Sequence, residues 1–235
     1  MTRRSRCHRM QTFIADFRAL RESKRETRLQ EMGSFLATFE ATHRHIWRNR
    51  VDFNVFHLLG VRSDEMTHSA VLAWLLKAES GHGQGDLFMR AFIELCSLDI
   101  PDWLLDRYTV RTECVGAESI IDVMVVRRGE FLVYLENKVY APEGHKQVDR
   151  EFRDMRRLGV SLKIPEKRQF PVFLTPRGRR PSSGDPTRWR ALSYGDLAEA
   201  FAALLPNIAA PKVKVLVQDW IDAISTFGGA NELAV

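Results

Sequence analysis

Apolar residues recur along this chain at two different spacings, and the change from one to the other maps its elements. Phe13, Phe17 and Leu20, then Leu29, Met32, Phe35, Leu36 and Phe39, fall three or four apart with charges between them. That spacing predicts helices over residues 12–30 and 34–48, with a break or kink at Gly33-Ser34. Ser63-Asp64-Glu65 offers a cap and an acidic first turn for a helix running to about Lys77, which would bury Met66, Ala70, Leu72, Ala73, Leu75 and Leu76. Another helix is predicted over residues 87–97. A spacing of two then takes over, with strands predicted over residues 108–114, 120–127 and 131–137. A charged helix over residues 144–158, a short V-F-L strand over 171–175, a loop over 177–190 and helices over 196–205 and 213–227 complete the chain. This order predicts an α/β fold, a small mixed β-sheet flanked by helices, behind an N-terminal helical extension. The strand that follows the crossover helix should lie parallel to its neighbour.

The pattern is broken most tellingly at the pair of strands joined by Arg128-Gly129-Glu130. Each carries charge where a buried strand should not: Asp122 on the first, Glu136 and Lys138 on the second. A three-residue turn centred on Gly129 would set Asp122 opposite Glu136, Met124 opposite Tyr134 and Val126 opposite Leu132. One face would then hold Asp122, Glu136 and Lys138, and the other would be wholly apolar. A two-residue turn would send the two carboxylates to opposite faces. The unbroken apolar face (Ile121, Val123, Val125, Phe131, Val133, Leu135) favours the three-residue turn. Facing carboxylates repel unless a cation lies between them, and Mg²⁺ takes one or two carboxylates together with waters and phosphate. A buried Glu–Lys or Asp–Lys pair with a purely structural role is the competing explanation.

Asp122, followed by Glu136-Asn137-Lys138 on the next strand, resembles the D…E-x-K signature of the PD-(D/E)XK nuclease superfamily, with Ile121 in place of the proline. The similarity extends through F-N-V-F-H-L-L-G at 53–60, E-M-T-H-S-A-V-L-A-W-L-L at 65–76 and H-G-Q-G-D-L-F at 82–88. It continues in Gln147, F-L-T-P-R-G at 173–178 and L-S-Y-G-D-L at 192–197, so that it covers roughly residues 52–227. The resemblance implies a restriction-endonuclease-like core and a divalent-metal-dependent nuclease, most simply a deoxyribonuclease. In that reading Asp122, Glu136 and the main-chain carbonyl of Asn137 hold Mg²⁺ or Mn²⁺. Glu65, on the helix before the strands, completes the site. Lys138 orients the attacking water or stabilises the developing charge, and Gln147 fixes Lys138 or contacts phosphate. Glu65 as a simple helix-dipole partner, and Gln147 as a surface amide, stay open beside these roles. His68, three residues on from Glu65, is open between a site residue and a core histidine. The glycine-rich stretch at 81–86 lacks G-K-[ST] and follows a helix, so it is no phosphate loop.

Charge sharpens this picture. The chain has a net charge of +5, but residues 1–50 carry twelve Lys and Arg against five Asp and Glu, and residues 163–190 carry eight against two. Two basic stretches around an acidic centre suit a phosphate backbone held beside a metal site. Arg150, Arg153, Arg177, Arg179 and Arg180 are the candidates for nucleic-acid contact. The natural division is a basic helical extension over residues 1–50 and a nuclease-like domain over 51–235. Nothing in the chain distinguishes DNA from RNA, because backbone contacts dominate either case. A nuclease-fold protein that only binds nucleic acid or a partner is the alternative function. The charged first helix, and the need to cut two strands with one site, point to a homodimer. A phage-defence or mobile-element role would suit such an enzyme. No apolar run reaches the ~18–20 residues of a membrane span. Three cysteines without metal-site spacing fit a reducing cytoplasm.

Overall fold

The computed structural model describes residues 53–227, together with Lys24, Gln30 and residues 32–34. The chain divides into two compact units, Met1–Phe53 and Asn54–Val235. Most of the two N-terminal helices predicted from sequence lies outside the described residues. Where it is described, at Lys24, Gln30, Met32, Gly33 and Ser34, the chain is helical, so no break falls at Gly33-Ser34.

The second unit is built on a five-stranded mixed sheet in the order β1-β2-β3-β4-β5, formed by Thr109–Val115, Ile120–Arg127, Phe131–Asn137, Gln169–Thr175 and Arg190–Ser193. The first three strands run antiparallel, while β4 pairs parallel to β3 and β5 parallel to β4. Gly129, at φ +80°, closes the three-residue turn between β2 and β3. Val126 accordingly pairs with Leu132 and Met124 with Tyr134, as the alternation of apolar side chains requires.

The described residues of this unit form six α-helices around the sheet, with α1 packed on α6: α1 Val55–Leu58, α2 Glu65–Leu76, α3 Leu87–Leu95, α4 Gln147–Ser161, α5 Tyr194–Ala202 and α6 Pro211–Ser225. The larger core lies on the odd-numbered face of the hairpin. Val123, Val125, Phe131, Val133 and Leu135 pack there with Leu72, Phe88, Phe92, Phe201 and Trp220 from α2, α3, α5 and α6. Helix α4 covers the opposite face, where Met155 packs with Met124, Leu132 and Tyr134, and also with Ile121, which strict alternation assigns to the other face. Asp64 caps α2 by accepting the Thr67 N–H at 3.0 Å. Ser193 caps α5 by accepting that of Asp196 at 2.9 Å.

Helix α1 is not foreseen from sequence, and within the sheet two features depart from the expectation. Strand β5, four residues long and starting on an exposed Arg190, sits where no strand is predicted, from the last residue of the expected loop; so short an edge strand carries no periodicity to read. Strand β4 begins two residues earlier than predicted and contains Pro171. Pro171 pairs with Tyr134 of β3, but β5 joins only from Val172 onward. One side of β4 is therefore an open edge at Pro171, where a missing N–H is tolerated.

Candidate active site

The β2–β3 ladder ends at the Val123–Leu135 pair, and just beyond it Asp122 and Glu136 lie close enough to act on each other. The main-chain N–H of Asn137 donates to Oδ2 of Asp122 at 2.7 Å, which ties the carboxylate to the neighbouring strand. Glu136 is 1% exposed, and its Oε2 accepts no hydrogen bond. Burial raises its pKa, the facing Asp122 raises it further, and nearby Glu151 adds to both. Asp122 is raised as well, mainly by burial, against the pull of the Asn137 N–H and of Lys138. The two strands thus hold together groups that resist being charged together.

Lys138 answers part of that charge. Its Nζ lies 3.0 Å from Oε1 of Glu136 and 3.9 Å from Oε2 of Glu65. Burial works against the ammonium, but Glu136 beside it outweighs this, and the pKa of Lys138 is raised. The amide of Gln147, the first residue of α4, donates to the same Oε1 of Glu136. Its own Oε1 accepts the Gly144 N–H at 2.9 Å. Gln147 therefore reaches Lys138 through Glu136, and pins the start of α4 to the end of β3.

The other candidate residues sort themselves by their partners. Oε1 of Glu65 accepts the main-chain N–H groups of Val139, Tyr140 and Ala141 at 2.7, 3.2 and 3.1 Å, and so shapes the chain leaving β3. The side chain of Asn137 points into the larger core, donating to Ser69 Oγ at 3.0 Å and accepting from the Tyr194 hydroxyl at 2.7 Å. Only its main chain is left for the carboxylate face. Of the two readings of His68, the core one holds. It is 1% exposed, its Nδ1 accepts from Trp220 Nε1 at 3.1 Å, and Nε2 pairs with the Arg62 carbonyl at 2.7 Å. Burial lowers its pKa, which suits a neutral ring donating from Nε2.

The basic residues are less free than their sequence suggests. Arg150 Nε donates to the Glu118 carbonyl at 3.2 Å, and its guanidinium also meets the carbonyl of His145. Arg153 pairs with the Glu118 carboxylate at 2.5 Å, so both arginines brace the turn between β1 and β2. Arg179 lies over the Phe173 ring, 5.3 Å from its centroid, and pairs with Glu143. Glu143 also accepts the N–H groups of Ser182 and Ser183, each at 2.9 Å. Arg177 and Arg180 are exposed on the same loop; Arg180 reaches the Pro186 carbonyl at 3.4 Å.

Sequence reasoning missed Glu151. It is completely buried on the sheet-facing side of α4, in a stripe with Val148, Met155 and Gly159. Neither of its oxygens accepts a hydrogen bond, and burial pushes its pKa up to about 7. The signal was available: a glutamate one turn beyond Gln147, on the helix's apolar stripe. A cleft of about 520 Å³ opens beside it, lined by Gln147, Arg150, Glu151 and the turn between β1 and β2.

The hairpin, its facing carboxylates and the lysine two residues on can be set beside known proteins. No curated protein and no solved structure matches the chain. A family model described as the PD-(D/E)XK nuclease superfamily matches residues 53–215, more than half of the 235 residues. The matched span takes in all five strands and the Asp122, Glu136 and Lys138 constellation, and the five-stranded mixed sheet with helices on both faces is the restriction-endonuclease-like core. The chain belongs to the PD-(D/E)XK nuclease superfamily.

Proposed function

We infer that this protein is a divalent-metal-dependent deoxyribonuclease that hydrolyses phosphodiester bonds. The observation that carries the reading is the closeness of Asp122 and Glu136 at the end of the hairpin, with Lys138 Nζ 3.0 Å from Glu136. Among the described residues no group of three or more His, Cys, Asp or Glu is arranged to hold a metal ion. A magnesium-type centre does not need one, since one or two carboxylates with waters and substrate oxygens suffice. The buried, unpartnered Oε2 of Glu136 facing a second carboxylate fits such an ion. Asp122, Glu136 and the main-chain carbonyl of Asn137 would hold Mg²⁺ or Mn²⁺, with Oε2 of Glu65 at its margin.

When bound, the cation supplies Lewis acidity at the phosphoryl group and makes water more acidic. Lys138 stays protonated, so it acts as a donor and a positive charge and not as a base. It orients the attacking water or stabilises the negative charge that gathers on the phosphoryl oxygens in the transition state. Gln147 holds Glu136 in one rotamer. Arg177, Arg179 and Arg180 beyond β4, with Arg150 and Arg153 on α4, place positive charge for the phosphate backbone. For Arg150, Arg153 and Arg179 this means exchanging a protein partner for a phosphate. With one such site among the described residues, a duplex cut on both strands calls for two copies.

Incubation with supercoiled, linear and single-stranded DNA and with RNA, each with Mg²⁺, Mn²⁺ or EDTA, tests this. Cleavage of DNA that needs the metal and is lost in EDTA is expected. Binding without cleavage under every condition would leave a nuclease fold that only binds, and cleavage of RNA alone would overturn the assignment to DNA.

A further inference from the structure

We propose that Glu151 of α4 is the third carboxylate of the cation seat. The inference rests on the reading of Asp122 and Glu136 as metal ligands and adds a residue from a different element.

Three observations converge on it. Glu151 is 0% exposed, yet neither of its carboxylate oxygens accepts a hydrogen bond. Leaving a buried polar group unpaired is costly, and a buried carboxylate most of all. Glu136, close enough to act on it, also has an oxygen without a partner, so three unsatisfied carboxylate oxygens belong to two interacting residues. Glu151, with Gln147, also lines the cleft of about 520 Å³ between the start of α4 and the turn joining β1 and β2.

Glu65, which the family resemblance nominates for this place, is differently employed. Its Oε1 is taken by three main-chain N–H groups, and only Oε2, 3.9 Å from Lys138, is left. Ionised Asp122, Glu136, Glu151 and Glu65 against Lys138 leave three negative charges, of which a divalent cation would offset two. The three carboxylates do not already converge on one point. The proposal therefore requires the Glu151 side chain to change rotamer on loading, around a helix start that Gln147 holds in place.

The test is Mn²⁺ binding without nucleic acid, followed by calorimetry and by the electron paramagnetic resonance of the free ion. The proteins are the full-length wild type, Glu151→Gln, Glu151→Asp and Asp122→Asn. The wild type should bind Mn²⁺, and Glu151→Gln should weaken binding by at least about tenfold, with Glu151→Asp in between. Thermal melts with Mn²⁺ and with EDTA give a second readout. Added Mn²⁺ should raise the wild-type Tm and raise that of Glu151→Gln much less. If the wild type and Asp122→Asn both fail to bind, the metal-site reading falls and this inference with it. If the wild type binds, Asp122→Asn does not, and Glu151→Gln binds as the wild type does, only the role of Glu151 is overturned. In that case its carboxyl merely carries a proton. Should Glu151→Gln not fold, Glu151→Asp carries the test: unchanged affinity overturns the inference, and weakened affinity at a native melting profile supports it.

Discussion

Lys138 Nζ lies 3.0 Å from Oε1 of Glu136, the residue two before it, and the same oxygen accepts the amide of Gln147. One carboxylate oxygen is thus held from two sides, while the other is left without a partner. Glu136 behaves as a fixed post, and Lys138 as a charge whose position the post determines.

If Lys138 acts on charge that develops during reaction, Lys138→Ala should lower turnover far more than it weakens DNA binding. Loss of one preorganised donor predicts a fall of about 10²–10³ in kcat, or roughly 3–4 kcal/mol. Single-turnover cleavage alongside DNA binding in Ca²⁺ separates the two effects. Unchanged turnover in a folded, DNA-binding variant would remove Lys138 from the mechanism.

Asp122→Asn should act in the opposite sense on stability. It relieves repulsion with Glu136 while keeping an oxygen that can accept the Asn137 N–H. In EDTA the variant should be at least as stable as the wild type, and the stabilisation given by Mn²⁺ should disappear. Chemical denaturation with and without metal reads both changes. A large loss of stability in EDTA would show that the pair is structural and not held for an ion.

Glu65→Ala tests the anchoring role. Removing the acceptor of three N–H groups should cost about 2–4 kcal/mol, and should do so equally in EDTA and in Mn²⁺. A cost that appears only with metal present would make Glu65 a ligand first and an anchor second.

Glu143 gives a pH signature of defined sign. Burial would raise its pKa, but the Arg179 guanidinium and the Ser182 and Ser183 N–H groups bring it down to about 2 from an ordinary 4.5. In that interval the unfolded chain binds more protons than the folded one. Its contribution is therefore complete above about pH 4.5 and is lost as pH falls towards 2. Glu143→Gln should lower stability at pH 7 by about 1–2 kcal/mol once solvent screening is discounted, and the deficit should shrink in acid. The raised carboxyls of Asp122 and Glu136 contribute with the opposite sign, losing stability as pH rises. Denaturation midpoints of both proteins across pH 3–7 check the difference; a constant deficit would show that the Glu143 tether does not titrate.

The hairpin could be read from sequence because two constraints agreed: the apolar face of period two, and a glycine where the turn needs positive φ. Asp122, Glu136 and Lys138 had to share a face once that register was set. Strand β5 could not be read, since Arg190–Ser193 is too short for any period to show and gains its order from pairing with β4. Glu151 escaped because helix α4 is so rich in charge that one more glutamate draws no notice until its burial is known. The employment of Arg150, Arg153 and Arg179 was equally hidden. Composition counts positive charges, whereas their partners, Glu118 and Glu143, come from other elements.

The bonds of Glu65 carry a consequence for the order in which the site comes together. Asp122 and Asn137 are 15 residues apart, and Glu136 and Gln147 are 11 apart, so the carboxylate face is closed by short loops. Glu65 meets Val139, Tyr140 and Ala141 across 74 to 76 residues. Short closures cost less chain entropy, so the hairpin and the start of α4 can form before α2 docks. The segment leaving β3 would then stay open until α2 arrives and closes it. In hydrogen exchange, the amides of residues 139–141 should follow the release of α2, while the Asn137 amide stays protected with the sheet. A chain that undocks α2 would keep its opposed carboxylates and lose the shape of the strand exit that places Lys138 beside them.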